Sequence, residues 1–272
     1  MEDPTPSPAE PPAKPRSELF ETFWFFIRLA AIVLFVRSFV VTPFNIPSES
    51  MLPRLYIGDY LFVSKWNYGY SRYSLPLNLP LIPGKILARL PERGDVAVFK
   101  APPGNSADYI KRVIGLPGDT IQMRDGQLIL NGVAVPKVPM ADFLIPQTAN
   151  YHCPPEFLEQ NAKGQAICRY RQFRETLPNG RSYAVLDRGT TLADNTQLFT
   201  VPAGHVFMMG DNRDDSADSR FPQIEGQGIG YVPVANLEGK AMVMFFSTDG
   251  EASLWPWTWF SATRWNRIGG GF

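Results

Sequence analysis

A serine and a lysine can together act as nucleophile and base, and this chain holds candidates for both. A serine hydroxyl is a weak nucleophile until a base takes its proton. Lysine can be that base when burial among apolar groups keeps its amine neutral near working pH. Ser48 and Ser50 lie in the run Phe44-Asn45-Ile46-Pro47-Ser48-Glu49-Ser50-Met51. On their own, serines after Ile-Pro read equally as turn formers or helix caps. The candidate base lies in Asp108-Tyr109-Ile110-Lys111-Arg112-Val113-Ile114-Gly115. Strand alternation would set Tyr109, Lys111 and Val113 on one face and Ile110, Arg112 and Ile114 on the other, giving Lys111 apolar neighbours. A Lys-Arg pair on a strand is also the mark of a solvated edge.

Other chemistries have less to stand on. The chain has two histidines, His152 in a polar stretch and His205 just before an apolar run, so a Ser-His-Asp triad is poorly supported. The run Gly210-Asp211-Asn212-Arg213-Asp214-Asp215-Ser216-Ala217-Asp218-Ser219-Arg220 offers carboxylates for calcium, but the register of an EF-hand loop is absent. Two cysteines, Cys153 and Cys168, with no histidines at useful spacing argue against zinc. They are either a disulfide in an oxidising compartment or two separate thiols. Basic and acidic residues number 26 each, so charge balance leaves no nucleic-acid footprint, and no P-loop or GxGxxG run occurs.

The elements that must position these residues can be read along the chain. Residues 1–17, rich in Pro, Glu and Ala, are expected to form a disordered cytoplasmic tail. Residues 18–42 contain LFETFWFFIRLAAIVLFVRSFVV, long enough to cross a bilayer, although Arg28 and Arg37 interrupt it; a buried or interfacial amphipathic helix is the other reading. Lys14 and Arg16 before the span against Arg54 alone after it favour a cytoplasmic N-terminus. Beyond it, 26 prolines and 22 glycines separate short apolar runs, a pattern of many strands joined by turns. Strand-like runs cover 60–66, 95–101, 108–115, 119–123, 127–135, 205–211 and 240–247. The fold class expected is mainly β, a transmembrane helix followed by a β-rich catalytic core (43–119 and 203–272) with a smaller inserted β/loop domain (120–202). The final LWPWTWFSATRW suits either a membrane interface or closure of the core.

The order of these pieces resembles one family. A span, then FNIPSESM, RGDVAVF (93–99), DYIKRVIGLPGD (108–119), MGDNRDDSADSR (209–220) and a final RIGGGF is similar to bacterial type I signal peptidases. The similarity covers about residues 30–120 and 205 to the end and is faint through the insert. It implies a single-pass enzyme of the bacterial inner membrane with its catalytic domain on the periplasmic side. Such an enzyme cuts signal peptides from exported preproteins after a small-residue A-x-A site, without metal or organic cofactor. Ser50 would be the nucleophile, Lys111 the general base, Ser48 and the Ser50 N–H the oxyanion donors, and Ser216 the group that orients the lysine. Asp218 with Arg220, and Asp211 with Arg112, would brace the site. Phe44, Ile46, Pro47, Leu55, Tyr109 and Ile110 would line shallow apolar pockets, with the substrate extended along strand edges near 44–48 and 108–111.

Glu49 departs from the glycine common in the family between the two serines. Pointing inward, its carboxylate would raise the Lys111 pKa; pointing to water it would not. Two competing functions remain open on sequence: a Ser/Lys peptidase of narrower substrate range, such as one maturing conjugation pilus subunits, and a membrane-tethered binding protein that keeps the fold without catalysis.

Overall fold

The computed structural model describes residues 18–272, so the tail expected at 1–17 lies outside the described residues. Helix α1 (Glu18–Phe35) buries none of its residues, and a wider-turn π-helical segment, Val36–Val40, continues it. The 23 residues from Glu18 to Val40 form one apolar rod; at ~1.5 Å per residue such a rod is about 34 Å long, against a hydrocarbon core of about 30 Å.

From the foot of this rod the chain enters an antiparallel sheet of seven strands. These are β1 (Val41–Asn45), β2 (Asp59–Ser64), β3 (Val96–Lys100), β4 (Asp108–Gly115), β5 (His205–Met209), β6 (Val232–Pro233) and β7 (Leu237–Ser247). Their order in the sheet is β1-β2-β7-β3-β4-β5-β6. β3, buried at all five positions, reads as a continuous apolar run because both faces of the sheet are covered there. One face holds Ile46, Met51, Leu55, Leu61, Val96, Val98 and Ile110; another cluster gathers Tyr68, Phe99, Val113, Val206 and Met208. β7 carries two register shifts against β2, between Ala241 and Val243 and between Met244 and Phe246. Bulges of this kind bend a strand and sharpen its twist. The final RIGGGF run closes on β7, where Gly269 N–H donates to Met244 O at 2.8 Å and Arg267 pairs with buried Asp59.

Residues 120–202 form two smaller sheets. One joins Phe199–Thr200, Thr120–Arg124, Gln127–Leu130 and Val133–Ala134; the other is built around the eleven-residue strand Ala166–Thr176. The run expected as one strand over 127–135 is instead a hairpin, turning at Asn131-Gly132 with φ of 53° and 78°. Asn-Gly supplies the positive φ at both central residues that a tight hairpin turn requires. The side chains of this region do not form a core of their own: Ile121, Met123, Leu128 and Val185 pack in one cluster with Ile114, Phe207 and Met209 of the main sheet. A second cluster sets Phe143, Ile145, Tyr151 and Tyr170 against Leu52, just beyond Ser50. Cys153 and Cys168 belong to that cluster and are joined by a disulfide.

The architecture is the mainly β one expected, an N-terminal apolar helix and a large β-rich domain. Of the two readings of the Trp-rich end, closure of the core does not hold. Trp255, Trp257, Trp259 and Trp265 are all exposed on and beside helix α2 (Pro256–Ala262).

Candidate active site

Ser50 sits in the tight turn after β1, almost buried, where Leu55 N–H donates to Met51 O at 2.9 Å. Met51 and Leu52, fully buried in two different clusters, pin the turn from below. Lys111 comes from the middle of β4, and its Nζ lies 2.6 Å from Ser50 Oγ. Burial drives the ammonium toward neutrality and pulls the Lys111 pKa down to about 8, although Asp218, Asp211 and Asp215 oppose that shift. The two groups therefore meet as a poised pair: an amine whose lone pair is available at mildly basic pH, within hydrogen-bond reach of a hydroxyl proton. Ser48 Oγ is 3.4 Å from Ser50 Oγ.

The third side of the site is the loop after β5. Gly210 lies so close to Ser50 that a Cβ there would fall on the Ser50 carbonyl oxygen and on Ser216 Oγ, a close approach that only glycine allows. Asn212 ties the loop to the Ser50 turn, donating from its backbone N–H to Ser50 O and from its side chain to Glu49 O, both at 3.1 Å. Ser216 Oγ is buried beside Gly210 and has no hydrogen-bond partner among the described residues, so the bond to Lys111 implied for it is not made in this arrangement. Asp211 forms a two-pronged pair with Arg112 at 2.7 and 2.6 Å. Arg112 also donates to Gly94 O and stacks on Tyr183. Asp218 does the same with Arg220 at 2.9 and 2.8 Å. Burial alone would raise the Asp218 pKa, but the Arg220 guanidinium and the Gly210 N–H outweigh it and hold the carboxyl below its usual range.

A cleft of about 480 Å³ opens over the Ser50–Lys111 contact. Phe44 and Pro47 line one wall and Tyr109 and Ile110 the other. β1 and β4 are separated by three strands in the sheet order, so the sheet must curl for both to border one cleft. β5 pairs with β4 only over residues 112–115, so among the described residues no strand covers that edge of 108–111. Of the six residues expected to touch substrate, these four line the cleft, whereas Ile46 and Leu55 are buried in the core behind it. Ile57 and Ala217 line it as well and were not foreseen. His205 stands apart, at the far end of β5, its ring nitrogen 3.0 Å from Ala203 O.

The sequence profile of a signal peptidase family, peptidase S26, matches residues 19–246. Signal peptidase I of Rickettsia typhi is 37% identical over 238 residues, covering 84% of this chain and 80% of that protein. The enzyme of the same name from Rickettsia massiliae is 38% identical over 232 residues, covering 82% and 78%. The chain belongs to the signal peptidase family, peptidase S26. It is accordingly a serine endopeptidase, a membrane-anchored hydrolase that removes signal peptides from exported preproteins. A crystal structure of a signal peptidase I from Enterococcus faecalis, 28% identical, covers 56% of this chain and 97% of its own with a TM-score of 0.29.

Beside the Ser50–Lys111 contact, Glu49 is engaged by an arginine and only partly open to water. It is half-buried and pairs at 3.1 Å with Arg188, which also lies 3.1 Å from Asp215. Burial and the neighbouring Asp215 carboxyl push the Glu49 pKa up to about 7, against the pull of Arg188. Arg188 belongs to the 120–202 region and is seated on Tyr170, 4.9 Å from its ring centre. The Ser50 turn, the loop bearing Ser216 and the inserted sheets are thus clipped together at the cleft rim.

A pH dependence follows with a definite sign. A lysine acting as general base works through its neutral amine, so with Lys111 in that role kcat/KM should rise with pH through about 8 and level off above, following its lowered pKa. Glu49, deprotonating near 7, adds negative charge at the rim over the lower part of the same rise. Cleavage rates from pH 4 to 10 check this; an acidic limb centred below 6, toward the range of an unperturbed carboxylate, would exclude lysine as the base.

Proposed function

We propose that Ser50 and Lys111 form a catalytic dyad that cuts signal peptides after a small-x-small site. The observation that carries this reading is the 2.6 Å contact between a buried lysine and a serine at the floor of a cleft bordered by two strand edges. The neutral Lys111 amine accepts the Ser50 hydroxyl proton as Oγ attacks the scissile carbonyl carbon. The oxyanion formed takes hydrogen bonds from the Ser50 N–H and the Ser48 hydroxyl. The resulting ammonium returns the proton to the departing amine, leaving an acyl-enzyme ester. Lys111 then deprotonates a water that attacks the ester and releases Ser50. Ser216 Oγ, buried and unpartnered beside Gly210, is the hydroxyl available to hold the amine when its bond to Ser50 is broken.

The substrate lies extended between Phe44–Pro47 and Asp108–Lys111, pairing by its main chain with the uncovered edge of β4. Aromatic and branched walls on a shallow cleft admit alanine-sized side chains and exclude larger ones. Helix α1 crosses the inner membrane with the catalytic domain on the periplasmic side, a placement favoured by Lys14 and Arg16 before the span and by a disulfide that an oxidising compartment would keep.

The test is cleavage of a preprotein carrying an Ala-x-Ala site by the detergent-solubilised chain. Cleavage after the second alanine is expected, and phenylalanine in that position should slow it by at least 10²-fold, on the order of the ~3 kcal/mol or more that forcing a bulky group into a filled site costs. Equal rates on both substrates would refute the pocket assignment.

A further inference from the structure

Between β2 and β3 the chain makes an excursion of a different character from the rest of the domain. Residues 75–84, LPLNLPLIPG, contain no ionisable group, and ILARL follows shortly after. The large apolar side chains do not turn inward. Leu77 is 94% exposed, Leu81 74% and Leu87 75%, with Leu79, Ile86 and Leu90 also exposed. Such a concentration on one excursion is far from the scattered apolar exposure of an ordinary soluble surface.

The excursion is held in place. Tyr70–Ser71 pairs antiparallel with Lys85–Ile86 at its neck, and a capping box at Ser71 and Ser74 fixes its first turn. The one basic residue at the neck is turned away from the tip: Lys85 donates to the carbonyls of Val234 and Leu237 at 2.9 and 2.6 Å, and burial lowers its pKa to about 7. The excursion also leans on the foot of the apolar rod. Tyr70 donates its hydroxyl to Phe39 O at 2.9 Å, and the two rings stand 5.4 Å apart. A cavity of about 280 Å³ between them is bounded by Arg37 and Ser38 on one side and by Leu75 and Leu77 on the other.

We propose that residues 75–90 dip into the lipid surface beside α1 and set the height and tilt of the catalytic domain on the bilayer. The inference rests on the reading of α1 as a membrane span. It commits to lipid as the occupant because the exposed leucines continue, at the rod's exit, a surface that is itself apolar and entirely uncovered. Charge agrees: the excursion carries exposed Arg72 and Arg89 at its base, and Arg37 lines the cavity between it and the rod, the arrangement of an apolar tip with a basic collar that meets lipid phosphates. Pro76, Pro80 and Pro83 carry no backbone N–H, which reduces the donors left unsatisfied on leaving water. A helix at one corner and an inserted loop beside it restrict rotation of the domain, as one helix alone cannot.

The experiment uses the full chain reconstituted in vesicles of zwitterionic and anionic phospholipid. Both native cysteines are held in the disulfide, so a single introduced thiol takes a polarity-sensitive fluorophore. Labels are placed at Leu81→Cys, at Leu29→Cys in the span, and at Lys163→Cys on an exposed polar turn, and lipids brominated at shallow or deep positions serve as quenchers. The expected result is a blue-shifted Leu81 label quenched more by shallow than by deep bromines, a Leu29 label quenched by deep bromines, and an unquenched Lys163 label. A Leu81 label that behaves like Lys163 while Leu29 is quenched overturns the proposal and leaves the span intact. A blue-shifted but unquenched Leu81 label assigns the loop to a protein partner or second copy, and equally overturns it. Loss of quenching at Leu29 refutes the span itself, and the proposal with it.

Discussion

Lys111→Met should eliminate cleavage, with a loss on the order of 10⁴- to 10⁶-fold in kcat/KM, the scale seen when one member of a unit of nucleophile and base is removed, while leaving stability unchanged or slightly higher. The activity loss follows because Ser50 Oγ has its other side-chain neighbour, Ser48, only at 3.4 Å, and a hydroxyl does not deprotonate a hydroxyl. The stability forecast follows from burial. Lys111 is buried, and the burial already disfavours its charge. Methionine of similar length fills the same volume without that penalty. The neighbouring Asp211 and Asp218 do not lose a needed partner, since each keeps its own arginine. Ser50→Ala should be as inactive as Lys111→Met, and the double variant no worse than either. Ser48→Ala, which removes one oxyanion donor, should retain a measurable rate, roughly 10²- to 10³-fold down. Single-turnover cleavage beside thermal unfolding would decide it; comparable mild losses for all three residues would end the dyad reading.

Where sequence reasoning succeeded, the residues involved were local. Short apolar runs bounded by turn formers fall on the strands of the main sheet because strand period and burial are both written within five to eight residues, as in Val96–Lys100 and Asp108–Gly115. The Asn131-Gly132 turn is equally local, yet the alternation of QLILNGVAV continues across it and masks the one dipeptide that splits it. The direction of Glu49 was beyond reach for the opposite reason. Its partner Arg188 is 139 positions away, and nothing near either residue marks the pairing. Ile46 and Leu55 were placed in the substrate cleft by family resemblance, yet residue type cannot separate a pocket wall from the layer of core behind it; both are apolar, and the difference is one of depth. The resemblance is faint through the insert, and no strand is legible over Ala166–Thr176 because it alternates exposed charge with buried side chains, and in sequence the charge dominates.

That strand also carries the second large prediction. Glu175 is completely buried, and it receives both terminal nitrogens of Arg213 at 2.8 and 2.5 Å and the Tyr183 hydroxyl at 2.9 Å. Arg213 stands in the loop between Asp211 and Ser216, and its other donation goes to Gly210 O at 3.1 Å. Glu175→Ala would leave a guanidinium enclosed with one carbonyl for company. Breaking a buried pair from one side costs about 3–5 kcal/mol, much more than the pair itself contributes. The expected result is therefore a fall of that size in unfolding free energy, measured by denaturant titration of the detergent-solubilised chain. Glu175→Gln, which keeps one acceptor, should fall between. Cleavage should drop with Glu175→Ala even at temperatures where the fold survives, because the carbonyl of Gly210 and the Ser216 hydroxyl are positioned by the same loop. A change below about 1 kcal/mol, the range of an exposed pair, would mean that the inserted sheets merely adjoin the catalytic core. A full loss would make them part of its frame, since the counter-charge for the loop beside Ser50 is supplied by Glu175, 125 residues further along the chain.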